Sequence, residues 1–254
     1  MLKNLLARLG LGARSNAARA SAAAAQHGAA PPGQHASGGE PVGAPDGRAP
    51  QPYTEPHLNF LYNLLFCDDV DLFRRSGNAP ADEPWRTLLA SDPSPAGLRR
   101  IADDPHAESR LRALAFRRLR EIGFEVPAKI LLGTIVEVPL ERGLDTLAAF
   151  GDGRVRYINQ SGAASIFEGG PAIVETLARE LIVASLPLVQ RIGPWDGARL
   201  APPPRGTVRL SFVVSEGLYF GQGTFAQLQK DPLGAPVLAK AGELLEAVVA
   251  AAQR

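Results

Sequence analysis

Trp195 and Asp196 stand in a Gly193-Pro194-Trp195-Asp196-Gly197 loop, and Gly217-Leu218-Tyr219-Phe220-Gly221-Gln222-Gly223-Thr224 follows about twenty residues later. A loop tryptophan between proline and glycine suits a cleft wall. Asp196 is able to accept hydrogen bonds, and Tyr219 is expected to face the tryptophan across the end of a sheet. Gly221-Gln222-Gly223 reads as a glycine-rich turn between a strand and a helix, a setting that presents backbone N–H groups to an anion. The stretch is not G-x-G-x-x-G and no Gly-Lys-Ser/Thr follows, so neither phosphate-binding fingerprint is present. Tight turns or close packing are the simpler account of the glycines, and a tryptophan closing the edge of the core is the simpler account of Trp195.

Arg110, Arg117 and Arg120 fall on one side of a helical wheel, opposite Leu111, Leu114, Leu119 and Ile122. They offer a patch for phosphate or an acidic partner, or simply a solvated face. No aromatic residues interleave with them to stack bases, so nucleic acid is not an expected partner. Glu137 interrupts an apolar strand. An outward-facing side chain is the simpler account, and burial would raise its pKa. Asp68, Asp69 and Asp71 lack the glycine and distal glutamate of a calcium loop and read as solvated carboxylates at a helix end. Cys67 follows Phe66 in an apolar stretch and is expected to be a buried thiol. As the one cysteine of the chain, it excludes an intramolecular disulfide and any cysteine-based zinc site. Outside the N-terminal tail the histidines are His57 and His106, both near helix starts, and no Gly-x-Ser-x-Gly occurs. Asp145 and Asp152 fit strand-edge and turn roles. No catalytic residue, metal or cofactor is therefore assigned.

The elements that must position these residues are legible from periodicity. Residues 53–124 repeat apolar positions every three or four. Thr54 is expected to cap a helix through Leu58, Leu61, Leu64 and Leu65. Ser94-Pro95 opens another, and Asp104-Pro105 opens the longest, about residues 105 to 122. Residues 125–254 switch to strand spacing. Ile130 to Val138, Leu144 to Phe150, Arg154 to Ile158 and Ala163 to Phe167 form a meander, with Gly151-Asp152-Gly153 as a hairpin turn. A long helix follows Gly169-Gly170-Pro171, and Pro187 should kink or end it. Thr207 to Ser215 and Leu218 to Phe220 are two more strands before a final helix. The expected class is α+β. An antiparallel sheet of about six strands, in the order β-β-β-β-α-β-β-α, carries helices on one face. Residues 53–254 are expected to form one compact unit.

The chain has 254 residues, 27 Lys plus Arg against 26 Asp plus Glu, and a formal charge of +1. That balance gives no global attraction to nucleic acid or anionic lipid. Residues 15–52 hold 12 Ala, 6 Gly and 6 Pro with Val42 as the one large aliphatic residue, which reads as a disordered linker. Residues 1–14 are basic, and Leu2, Leu5, Leu6 and Leu9 form an apolar stripe able to dock on a partner or a membrane surface. No run is long enough to span a bilayer. The leading expectation is a non-catalytic bacterial, cytoplasmic adaptor or accessory protein that meets a protein partner through this peptide. The alternative is a small-ligand or nucleotide-binding domain, or an enzyme built on one, with its cleft between the Trp195 loop and the Gly221–Gly223 turn.

Overall fold

The computed structural model describes residues 49–75 and 82–253. The docking stripe of Leu2, Leu5, Leu6 and Leu9, and all of the linker but its last residues, lie outside the described residues.

Among the described residues five helices come first: α1 (Pro56–Leu64), α2 (Val70–Arg75), α3 (Trp85–Leu89), α4 (Pro95–Asp103) and α5 (Ser109–Glu121). Strands β1 (Leu131–Pro139), β2 (Leu144–Phe150), β3 (Val155–Ile158) and β4 (Ala164–Phe167) form the meander. Helix α6 (Ala172–Arg191), strands β5 (Thr207–Val214) and β6 (Gly217–Thr224), and helices α7 (Phe225–Lys230) and α8 (Gly234–Ala252) complete the chain. All neighbouring strands are antiparallel in the order β4-β3-β2-β1-β5-β6, so the fold is α+β with β1 at the centre.

Helices cover both faces of the sheet, not one. Thr134 of β1 donates its hydroxyl to Ser185 of α6 at 3.0 Å, which marks one face. The next residue but two, Glu137, accepts from Tyr62 of α1 and marks the other. Every residue from Leu131 to Glu137 and from Leu144 to Phe150 is buried, as expected of strands covered on both sides. The core on the second face joins Leu58, Tyr62, Leu65, Phe66, Leu98, Leu114, Phe116 and Leu119 to Ile135, Ala148, Phe150 and Ile158.

Local rules hold at some helix ends and yield at others. Ser94 caps α4 by accepting from the Gly97 N–H at 3.3 Å, with Pro95 in the first turn. Helix α1 starts at Pro56 with Glu55 at its N-cap, so Thr54 does not cap it. Helix α5 starts at Ser109, later than Asp104-Pro105 suggests. The Asp104 carboxylate accepts from the His106 N–H at 2.9 Å and closes a turn of its own. The cap of α5 comes instead from the β2–β3 hairpin. Asp152 Oδ2 accepts from the Ser109 N–H at 2.7 Å, and the Ser109 hydroxyl accepts from the Asp152 N–H at 3.1 Å. Gly153, at φ 92°, completes that turn. Helix α6 runs through Pro187 without ending. Its buried stripe continues on both sides of the proline, from Leu181, Ile182 and Ser185 to Leu188 and Val189, and that packing outweighs the lost backbone bond.

The reciprocal bonds between Asp152 and Ser109 tie the helical layer to the sheet. Asp152→Ala is expected to lower stability by about 1–2 kcal/mol, and Asp152→Asn, which keeps an acceptor, by clearly less. Urea unfolding of both variants measures this; equal midpoints for wild type and Asp152→Ala would contradict it.

Candidate functional site

A cleft of about 340 Å³ opens at the end of the sheet where α5, the Phe66–Asp68 segment, the Trp195–Arg199 loop and the β5–β6 turn meet. Arg117 and Arg120 enter it from α5, and Arg199 from the loop that follows α6. Trp195, Asp196, Asp68 and Glu216 border it, and Phe66, Ala113, Val213 and Leu218 give it an apolar floor.

The tryptophan loop is fixed by its own backbone. The Trp195 N–H donates to the Leu218 carbonyl at 2.8 Å, and its indole N–H donates to the Ala198 carbonyl at 2.9 Å. The indole meets Phe220 edge to face at 5.2 Å between centroids. It folds over Gly197, where a Cβ would lie 2.8 Å from the ring, so only glycine fits under it. Trp195 as a residue is nevertheless 37 % exposed where it borders the cleft.

Arg199 is more deeply set than Arg117, with 11 % of its side chain exposed against 33 %. Its guanidinium lies over the Phe66 ring at 4.2 Å and near Tyr62 at 5.6 Å. It donates to the Asn63 side-chain oxygen and stands 3.5 Å from Asp68. Its Nε and Nη1 complete no hydrogen bond among the described residues. Arg117 pairs with Glu121 at 2.8 Å, and Arg120 donates to the Ser215 carbonyl. Burial, reinforced by the nearby Arg117 charge, lowers the Arg120 pKa below the usual arginine value. Burial likewise raises the Asp68 pKa, opposed by Arg199 and Arg117. Glu216 is already engaged, accepting from the Lys129 N–H at 2.8 Å and the Tyr219 hydroxyl at 2.7 Å. Cys67 lines the cleft with a left-handed backbone, φ 52°, which a side chain rarely adopts. Burial pushes its thiol up to about 12, so it is no thiolate nucleophile at neutral pH.

Glu137 lies beneath the cleft with none of its side chain exposed. The outward-facing reading of this residue is overturned: the helical layer covers that side of β1. Burial raises its pKa, with Arg209 and the Tyr62 hydrogen bond opposing. Tyr62 donates to its Oε1 at 2.7 Å, and Arg209 Nη1 stands 3.9 Å from Oε2. Arg209 directs its donors elsewhere, to Gln222 Oε1 at 2.8 and 3.0 Å and to the Ala201 carbonyl at 2.7 Å.

The cleft brings together residues from two separate sequence expectations, Trp195 with Asp196 and Arg117 with Arg120. Arg110 is not among them. It pairs with Glu108 at 2.7 Å and lies over Phe150, so Arg110 is turned toward the sheet while Arg117 stays partly exposed. Gly221, Gln222 and Gly223 are not a turn. They pair with Leu210, Arg209 and Val208 as part of β6, which ends only where Thr224 and Gln227 form a capping box for α7. Tyr219 sits in register with Phe212 on the opposite face from Trp195; Phe220 makes the aromatic contact instead. Asp68 is half-buried beside Arg199, not solvated. Arg199 itself escapes sequence reading, because a single arginine between Ala198 and Leu200 has no periodic pattern to mark it. Among the described residues no three His, Cys, Asp or Glu side chains gather as a metal site. What the arrangement offers is guanidinium donors to an anion beside an aromatic wall.

Glu137 gives a pH signature. A carboxyl with a raised folded pKa contributes stability that is full below the unfolded value, about 4.3, and is lost as pH rises through the folded value. Glu137→Gln keeps an acceptor for Tyr62 and has no charge to desolvate. The urea midpoints of wild type and Glu137→Gln should converge near pH 4 and separate toward pH 7, with the variant the more stable. A wild type that gains on the variant as pH rises would contradict the assignment. No protein-family model, no curated protein and no solved structure matches this chain, so its cleft is read from its own geometry.

Proposed function

We propose that this protein is a binding domain for a small anionic ligand, held in the cleft by Arg117, Arg120 and Arg199 beside Trp195. The observation that carries this reading is the convergence of three guanidinium groups, from α5 and from a distant loop, on one cavity of about 340 Å³. That volume lies within the range of small-molecule sites. Two neighbouring arginines on α5 repel each other, and an anion between them removes the repulsion. The partly exposed Trp195 supplies the flat apolar contact that orients a ligand body. The nucleotide-type alternative is thereby retained with a different second wall: α5 and the Phe66–Asp68 segment in place of Gly221–Gly223. The adaptor reading rested on residues 1–14, which lie outside the described residues, and a cytoplasmic site of action belongs with it as an expectation. No helix among the described residues is long and apolar enough to cross a membrane.

Trp85, the second tryptophan, packs against Phe73 at 5.6 Å. A Trp85→Phe background therefore leaves Trp195 as the sole reporter. Inorganic phosphate is expected to change Trp195 fluorescence saturably. Arg117→Ala removes a charged donor whose existing ion pair is partly exposed, so folding should be nearly unaffected while affinity falls about tenfold. An unchanged affinity in that variant, or no saturable response in the parent, would sink the proposal.

A further inference from the structure

Directly beneath the cleft lies a second, much smaller cavity of about 20 Å³. The two share Phe66, Trp195, Arg199 and Leu218 as lining residues, so they adjoin along these four side chains. The inner cavity is bordered by Glu137, Ser211, Arg209 and Arg199 among apolar Leu200 and Phe220.

Its polar groups are poorly satisfied by the protein itself. Glu137 Oε2 is fully buried and completes no hydrogen bond among the described residues by geometry, with Arg209 Nη1 3.9 Å away and the Ser211 hydroxyl beside the carboxylate. Arg199 contributes Nε, buried and without a hydrogen bond among the described residues, while its Nη1 faces Asp68 at 3.5 Å on the side of the outer cleft. A buried acceptor and a buried donor thus belong to two residues on the wall of one small hole, close enough for the Arg199 charge to act on Glu137. Buried polar groups are almost always satisfied, and each exception calls for a partner. The volume holds one water-sized group, which needs roughly 10–15 Å³ and two or more polar partners. An anion does not suit the place, because Glu137 is itself acidic. A hydroxyl does: it donates to Glu137 Oε2 and accepts from an arginine N–H.

Resting on the anion-binding reading of the cleft, we propose that this inner cavity is a hydroxyl subsite. A single water fills it in the free protein, and a hydroxyl of the bound ligand replaces that water. The ligand class is then a small hydroxylated anion: its charged group lies against Arg117 and Arg120, and its hydroxyl passes Arg199 to reach Glu137. Phosphorylated polyols and hydroxycarboxylates share this chemistry.

The test compares matched pairs on the full-length chain by calorimetry: glycerol phosphate against propyl phosphate, and lactate against propionate. The hydroxylated member of at least one pair should bind about tenfold tighter, since a site built around a hydroxyl disfavours the analogue that lacks it. The pair that shows the gap identifies the anionic group. In Ser211→Ala and Glu137→Leu the gap should shrink to about twofold or less, with circular dichroism melts verifying that each variant folds. Ser211→Ala is the milder change and carries the test if Glu137→Leu fails to fold. A high-resolution crystal structure of the free protein should place a water within hydrogen-bond distance of Glu137 Oε2. Equal affinity within both pairs would overturn the hydroxyl subsite while leaving anion binding intact. No binding of any of the four, with no response to phosphate, would overturn both.

Discussion

Covering the second face of the sheet buries polar side chains that a one-sided sheet would leave in water. Glu137, Thr146, Arg156, Arg209 and Ser211 all point toward the helical layer and are at most 5 % exposed. Each must find a partner inside or incur a desolvation cost. Most do. Thr146 bonds with the Tyr53 hydroxyl at 2.8 Å, Arg156 reaches Glu168 and the Phe167 carbonyl, and Arg209 is held by Gln222 and Ala201. Glu137 is the exception among the described residues, with one oxygen bonded by Tyr62 and the other short of a complete hydrogen bond beside Ser211 and Arg209. The placement of the helical layer, the cleft at its margin and the cavity beneath it all follow from this one arrangement.

The cleft lies where α5, the Phe66–Asp68 segment and the Trp195 loop meet the β5–β6 turn. Helix α5 crosses the sheet with Arg110 turned inward and Arg117 partly exposed. Near its start Arg110 is neutralised by Glu108 and seated on Phe150. Toward its end the Trp195 loop stands off from the helix, and Arg117 and Arg120 line the gap. Arg199 closes the gap from below, supported by stacking on Phe66 and by Asn63 of α1. The same guanidinium borders both the outer cleft and the inner cavity, so it couples a charged surface site to the buried carboxyl of the central strand.

Much of the fold was legible in the sequence. Tight turns, strand runs and the Ser94-Pro95 cap are local signals, and local geometry obeyed them. The failures have physical causes of one kind. Pro187 sits inside a helix because flanking contacts hold it there. Asp104 yields the cap of α5 to Asp152, forty-odd residues away in sequence, because the hairpin places a carboxylate over the helix end. Gly221-Gln222-Gly223 stays in the sheet because Gln222 clamps Arg209 across β5 and β6. The site was legible by halves. Trp195 and Asp196, and Arg117 and Arg120, each stood out by composition or spacing, but their meeting is a product of topology. Arg199 and the burial of Glu137 left no mark, since both depend on which face of the sheet the helices cover.

The account turns on three guanidinium groups acting as one anion site, and arginine side-chain NMR reads them directly. In full-length protein titrated with inorganic phosphate, the Nε–H resonances of Arg117, Arg120 and Arg199 should move together along one binding curve. Those of Arg110, Arg154 and Arg156, which are committed to glutamate or aspartate partners elsewhere, should stay in place. Uniform small drifts of all arginines, or no movement at the three cleft positions, would contradict the account.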